Sequence, residues 1–291
     1  MQERSVSAIR PRRSVLYMPG SNARALEKAR ALDADALILD LEDAVAPDAK
    51  ETARAQVCQA VKARGFGARE VVIRINGLGT QWSDADLEAA LDAGPDAVLV
   101  PKVSGAADLE GIDAAIDGIE LWAMIETPRA ILDIDEIAGS SRNLACLVMG
   151  TNDLIKDMRG KPMRGRENLT AALSLCVLAA RAHDLSAIDG VFNTIADPEG
   201  FHAECERGRA FGFDGKTLVH PSQIAPCNAI FAPSGEEVEF ARRIIAAFAL
   251  PENACRGAIA LDGKMVERLH AETARRTVAL AEAIAAREPQ P

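Results

Sequence analysis

The chain has 291 residues, 43 acidic and 33 basic, for a net charge of −10; 48% are hydrophobic, 26% charged and 4% aromatic. That composition describes a soluble globular protein with apolar material for one large core or two ordinary ones. An acidic balance without a clustered basic tract argues against a nucleic-acid partner, because phosphate binding needs local positive charge.

The chain opens with Arg4, Arg10, Arg12 and Arg13 but no apolar stretch before Ser14, which argues against a secretory leader. No segment approaches the roughly 20 apolar residues of a membrane span. Short aliphatic runs predict strands at Ser14–Met18, Ala36–Leu41, Glu70–Ile75, Ala97–Val100, Glu120–Ile125, Leu144–Met149, Ser186–Ile188 and Lys216–Val219. Between them, amphipathic patterns predict helices over Ala23–Leu32, Ala49–Ala63, Asp84–Leu91, Asn168–Ala182 and Glu199–Phe211. Eight strands alternating with helices predict an α/β fold, a (β/α)8 TIM barrel. Without Ser186–Ile188 only seven strands remain, and a doubly wound sheet competes. The barrel is expected over 1–230 and a C-terminal helical lid extension over 231–291, with helices from about Glu236 to Ala249 and on to about Ala286. Cys58, Cys146, Cys176, Cys205, Cys227 and Cys255 are scattered without zinc spacing, the usage of reduced thiols in a cytoplasmic protein.

In such a barrel the chemistry sits where strands end at their C-terminal side. Those positions carry Glu42 and Asp43, Arg74 and Asn76, Lys102, Glu126, Asn152 and Asp153, Asp189, and His220. Glu126 and Asp153 follow neighbouring strands, so their carboxylates can converge on one hard divalent cation, with water and substrate oxygens completing an octahedron. The bland alternative is a solvated Glu126 and an Asp153 that caps a helix. Arg74 is placed to grip a carboxylate in two-pronged fashion or to pair with Glu42 or Asp43, which in turn can orient it or hold water. Lys102 admits Schiff-base chemistry if its pKa is lowered, against the more ordinary reading of a solvated or paired lysine. His220, before a proline, is either a base or a positional residue.

The ordered set RSVLYMPG (Arg13–Gly20), LILDLEDAV (Leu37–Val45), RIN (Arg74–Asn76), VPK (Val100–Lys102), IET (Ile125–Thr127), GTNDL (Gly150–Leu154), FDGKTLVHPSQI (Phe213–Ile224) and LDGKMVE (Leu261–Glu267) resembles the citrate lyase β-subunit-like family of CoA-ester lyases, in the HpcH/HpaI aldolase superfamily. The resemblance implies a trimer or hexamer whose lid reaches a neighbouring subunit. It implies Mg²⁺, with Mn²⁺ as substitute, on Glu126 and Asp153, and Arg74 on an α-keto or α-hydroxy acid. Asp262 of the adjacent chain's lid becomes a catalytic acid/base, with Arg74, Glu42 and Asp43 as further catalytic positions. Substrate contacts fall to Arg13, Tyr17 and Arg24, to Lys102 and Gly150, and to His220 within Lys216–Ser222. Family members commonly read DGKMVD followed by proline; here Glu267 replaces that Asp and no proline follows. The expected activity is cleavage of malyl-CoA or citramalyl-CoA into acetyl-CoA and a 2-oxo acid. GTNDLIK and DGVFN (Asp189–Asn193) equally resemble malyl-CoA thioesterase relatives, so thioester hydrolysis is the alternative, as is a citrate lyase β subunit working within a complex.

Overall fold

The computed structural model describes residues 9–253 and 255–287, so the leader reading of the first eight residues lies outside it. Eight parallel strands close into a barrel in sequence order: β1 (Ser14–Pro19), β2 (Ala36–Asp40), β3 (Glu70–Arg74), β4 (Ala97–Val100), β5 (Glu120–Ile125), β6 (Leu144–Met149), β7 (Ser186–Asp189) and β8 (Gly215–Leu218). β7 forms, and β8 closes onto β1 with Ser14 opposite Lys216. Helices α1 (Ala23–Ala29), α2 (Lys50–Lys62), α3 (Ser83–Ala93), α4 (Ala106–Asp113), α5 (Pro128–Leu132), α6 (Ile134–Gly139), α7 (Thr151–Asp157), α8 (Thr170–Ala182) and α9 (Pro198–Phe211) connect the strands, and α10 (Ile224–Phe231) follows β8. This is a TIM barrel, and none of its helices is long and apolar enough to cross a membrane.

Strand alternation sorts the side chains into two cores. Val15, Ile38, Val72, Leu99, Trp122, Met124, Val148 and Ile188 fill the barrel interior, while Leu16, Leu39, Ile73, Leu121 and Leu147 pack outward against the helices. Polar residues close the interior at both ends. At the N-terminal end Arg12 takes both oxygens of Glu70 (2.6 and 2.8 Å), reaches Glu120 at 2.5 Å and Ser186 at 3.0 Å, and lies over the Trp122 ring at 4.9 Å. At the C-terminal end the register places Asp40 beside Arg74, so an ion pair there follows from the strand pairing.

The described chain forms two compact units, Arg12–Phe231 and a second that holds 9–11 and the chain from Ala232. In the second, α11 (Gly235–Ala249), an antiparallel hairpin of β9 (Ala258–Leu261) and β10 (Lys264–Glu267), and α12 (Arg268–Ala285) share a core of Ala241, Ile244, Phe248, Ile259, Val266, Ala271 and Ala274. The hairpin turns on Asp262 and Gly263, both with positive φ (52° and 75°). An Asp-Gly pair suits that turn because both positions need the left-handed conformation, which matches strand twist.

Candidate active site at the C-terminal barrel mouth

The sequence Ile125–Pro128 explains how Glu126 is delivered. β5 ends at Ile125, Thr127 caps α5 by accepting the N–H of Ala130 at 3.0 Å, and Pro128 occupies the first helical position. Glu126 is left at the strand tip, only 1% exposed. Lys102 takes a left-handed backbone conformation (φ 53°), uncommon for a residue with a β-carbon, and its N–H donates to Glu126 Oε1 at 2.7 Å. Gly150, after β6, makes room for the same carboxylate: a β-carbon there would sit 2.4 Å from Glu126 Oε2. Burial, opposed by the Lys102 N–H and reinforced by the charges of Glu42 and Asp153, pushes the Glu126 carboxyl up to about 7. Asp153 lies in the first turn of α7 rather than at its cap, which is Gly150, and Lys156 is 3.8 Å from it.

The other half of the mouth is built on β1, β2 and β3. Arg74 donates from Nε and Nη2 to the two oxygens of Asp40, at 2.6 and 2.7 Å, and lies over the Tyr17 ring at 4.9 Å. Its Nη1 is 3.0 Å from Glu42 Oε2, 4.0 Å from Asp43 and 3.6 Å from Met124 Sδ. Lys102 Nζ bonds Glu42 Oε1 and stands 3.6 Å from Asp43. Burial pushes the Glu42 carboxyl up, against the pull of Arg74 and Lys102. Burial also opposes the Lys102 charge, yet its bond to Glu42 and the nearby carboxylates outweigh this and raise its pKa. That is the reverse of what a Schiff-base lysine requires. Asp40, Glu42, Asp43 and Glu126 thus lie around Arg74 and Lys102, and the charge of Asp153 acts on Glu126, a negative excess even with exposed Lys156 counted.

This geometry takes Arg13 and Asp189 away from the mouth and shows where the other candidate residues lie. Arg13 precedes β1 and lies at the opposite end of the barrel, buried in a pair with Asp35 (2.8 and 3.0 Å), so its chemistry there is structural. Asp189 ends β7 but faces outward: adjacent Ile188 fills the interior, and Asp189 pairs with Arg166 (2.7 Å) and Lys216 (3.1 Å) in the helix layer. Asn76 supports the β2 turn, accepting from Lys50 at 2.6 Å and donating to Leu41 O at 2.9 Å. His220 is exposed and its Nδ1 is 2.8 Å from Ser222 Oγ, a local cap. Arg24 is exposed in the first turn of α1. Asp262 belongs to the second compact unit, where it pairs with Arg243 at 2.7 Å. Asp40 was missed by the sequence reading, although a carboxylate closing an apolar strand was the available signal.

No group of three or more His, Cys, Asp or Glu side chains arranged for a metal ion occurs among the described residues.

Comparison with known proteins places this mouth in context. Residues 13–221 match the family described as HpcH/HpaI aldolase/citrate lyase, and residues 164–285 match a C–C bond lyase family of the TIM-barrel fold. A relative named (3S)-malyl-CoA thioesterase, from Cereibacter sphaeroides strain KD131, is 53% identical over 276 residues, covering 95% of this chain and 96% of the relative. Citrate lyase subunit beta of Escherichia coli K12 is 35% identical, covering 96% of both chains. Among solved structures, CitE from Mycobacterium tuberculosis in complex with magnesium, acetoacetate and coenzyme A superposes with a TM-score of 0.75 at 33% identity, covering 91% of this chain and 97% of that one. The chain belongs to the HpcH/HpaI aldolase/citrate lyase family.

Proposed function

We infer that the protein is a Mg²⁺-dependent hydrolase of a short hydroxydicarboxylyl-CoA thioester of the malyl-CoA type, acting in the cytoplasm. The observation that carries this reading is the similarity to (3S)-malyl-CoA thioesterase, 53% identical along nearly the whole chain, against 35% for citrate lyase subunit beta. The sequence reading put carbon–carbon cleavage first and hydrolysis second; the relatives reverse that order. Cleavage to acetyl-CoA and a 2-oxo acid is kept as the second reading because both matching families are described as lyases or aldolases.

The residues fit a hard divalent cation. Glu126 is buried beside a second carboxylate whose charge raises its proton affinity, and Gly150 leaves space that a side chain would fill. Mg²⁺ is commonly held by one or two carboxylates, with water and substrate oxygens taking the remaining positions. Glu126 and Asp153 would hold it. Once bound, such an ion polarises an oxygen of the acyl group and stabilises negative charge developing there.

The chain's own groups supply the rest. Arg74 would hold the free carboxylate of the acyl group through Nη1, since Asp40 occupies its other edge. Glu42, with raised proton affinity and a buried Oε2 lacking any hydrogen bond, is suited to take a proton from water. In hydrolysis the water oxygen bonds the thioester carbon, the C–S bond breaks, and the CoA sulfur leaves as thiolate and is protonated. Asp262 is retained as the acid/base supplied by a neighbouring copy, and a trimer or hexamer as the assembly that would supply it. The test is turnover of a panel of hydroxyacyl-CoA thioesters by purified protein with and without Mg²⁺. Metal-dependent release of free CoA from malyl-CoA is expected, and turnover undiminished in EDTA contradicts the reading.

A further inference from the structure

Asp40 is fully buried at the end of β2, and its carboxylate is filled by four hydrogen bonds. Oδ1 accepts from Arg74 Nε at 2.6 Å and from the Glu42 N–H at 2.9 Å; Oδ2 accepts from Arg74 Nη2 at 2.7 Å and from the Ala44 N–H at 3.0 Å. These satisfy the acceptor capacity of a carboxylate. The same turn is held from its carbonyl side. Lys50 Nζ donates to Leu41 O at 2.8 Å and Glu42 O at 2.7 Å, and Asn76 Nδ2 donates to Leu41 O at 2.9 Å. Both backbone rows of the turn that presents Glu42 are therefore fixed.

The consequence falls on Arg74. Asp40 takes the Nε and Nη2 edge, and the Tyr17 ring covers a face. Nη1 is left with a weak bond to Met124 Sδ at 3.6 Å. The neighbouring Glu42 Oε2 is 3.0 Å away yet makes no hydrogen bond, although it is buried. A guanidinium free to turn would align with Glu42 and satisfy both groups; the two-pronged grip of Asp40 prevents this. Nη1 and Glu42 Oε2 thus form an ion pair at 3.0 Å without a hydrogen bond, a donor beside an acceptor. They match the two groups at the end of a 2-hydroxy acid, a carboxylate that accepts and a hydroxyl that donates.

We propose that Asp40 is a positioning residue that sets selectivity for acyl groups ending in a 2-hydroxy acid, by fixing Arg74 so that Nη1 and Glu42 Oε2 stand side by side without a hydrogen bond between them. The substrate class rests on the functional reading above; the positioning does not. The experiment compares dissociation constants of malyl-CoA and of 3-hydroxybutyryl-CoA, which carries a methyl in place of the carboxylate, for wild type and Asp40→Asn in the presence of Mg²⁺. Wild type is expected to prefer malyl-CoA, and Asp40→Asn to lose at least tenfold of that preference while 3-hydroxybutyryl-CoA binding changes less than threefold, a loss comparable to one hydrogen bond to a charged group. Equal weakening of both thioesters, or an unchanged ratio, overturns the proposal. Should Asp40→Asn fail to fold, Asp40→Glu carries the test, because it keeps the charge but displaces the carboxylate that grips Arg74 by one methylene; retained preference in that variant also overturns it. Binding is read whether the thioester is hydrolysed or cleaved. Wild type that binds neither thioester refutes the functional reading, whereas wild-type preference with an unchanged variant refutes the role of Asp40 alone.

Discussion

Replacing Glu126 by glutamine should make the metal-free protein more stable at pH 8 while removing its metal-dependent activity. Glutamine keeps the shape and can still accept the Lys102 N–H, but it has no charge to bury. In the folded chain the carboxyl is raised from the ordinary 4.5 to about 7, chiefly by burial. Folding therefore favours the protonated acid: Glu126 is accommodated without penalty below pH 4.5, and the penalty grows as pH rises until it is complete above about 7. At about 1.4 kcal/mol for each tenfold change in proton affinity, the full penalty is about 3 kcal/mol. At pH 5 less than about 1 kcal/mol of it has developed, because that pH lies only just above the ordinary 4.5 at which the penalty begins to grow. Urea denaturation in EDTA at the two pH values reads this directly. Glu126→Gln is expected to gain about 2–3 kcal/mol more at pH 8 than at pH 5, and Mg²⁺ is expected to stabilise wild type but not the variant. A variant less stable than wild type at pH 8, or one whose gain is the same at both pH values, refutes the burial argument.

Further outcomes follow from the same geometry. Asp153→Asn should abolish Mg²⁺-dependent turnover and weaken Mg²⁺ binding measured by calorimetry with unchanged circular dichroism; full activity in the variant removes Asp153 from the site. Borohydride in the presence of a carbonyl substrate should leave Lys102 unmodified by mass spectrometry, since its ammonium is held charged by Glu42 and Asp43. Arg12→Ala should cost about 3–5 kcal/mol in urea denaturation, because the buried two-pronged pair with Glu70 at the N-terminal end of the barrel is lost. Inactive Asp262→Ala and inactive Asp153→Asn chains, mixed and reassembled, should recover activity if a neighbouring copy supplies Asp262; no recovery contradicts that supply.

The barrel was legible because parallel strands are buried on both faces and so appear as continuous apolar runs. Ala97–Val100 and Glu120–Ile125 agree with the sequence reading to the residue. Short helices were harder: α5, α6 and α7 have five to seven residues, too few turns for an amphipathic period to stand out. The β9–β10 hairpin was overlooked although Asp262-Gly263 between apolar residues is a strong turn signal. At the site, position relative to a strand end identified Glu126, Arg74 and Lys102, but two further pieces of information were needed. Direction along the strand separates Arg13, at its start, from groups at its end. Parity separates inward Asp40 and Arg74 from outward Asp189. A strand read as a uniform hydrophobic run conceals that parity, and an ion pair between adjacent strands appears only when their register is known.

The most direct measurement is the product mixture formed from malyl-CoA and Mg²⁺, resolved by chromatography and mass spectrometry as a function of time. Malate and free CoA should accumulate in equal amounts, without acetyl-CoA or glyoxylate at any stage. Acetyl-CoA and glyoxylate appearing in step with loss of the thioester would contradict hydrolysis and leave carbon–carbon cleavage as the reaction of this mouth.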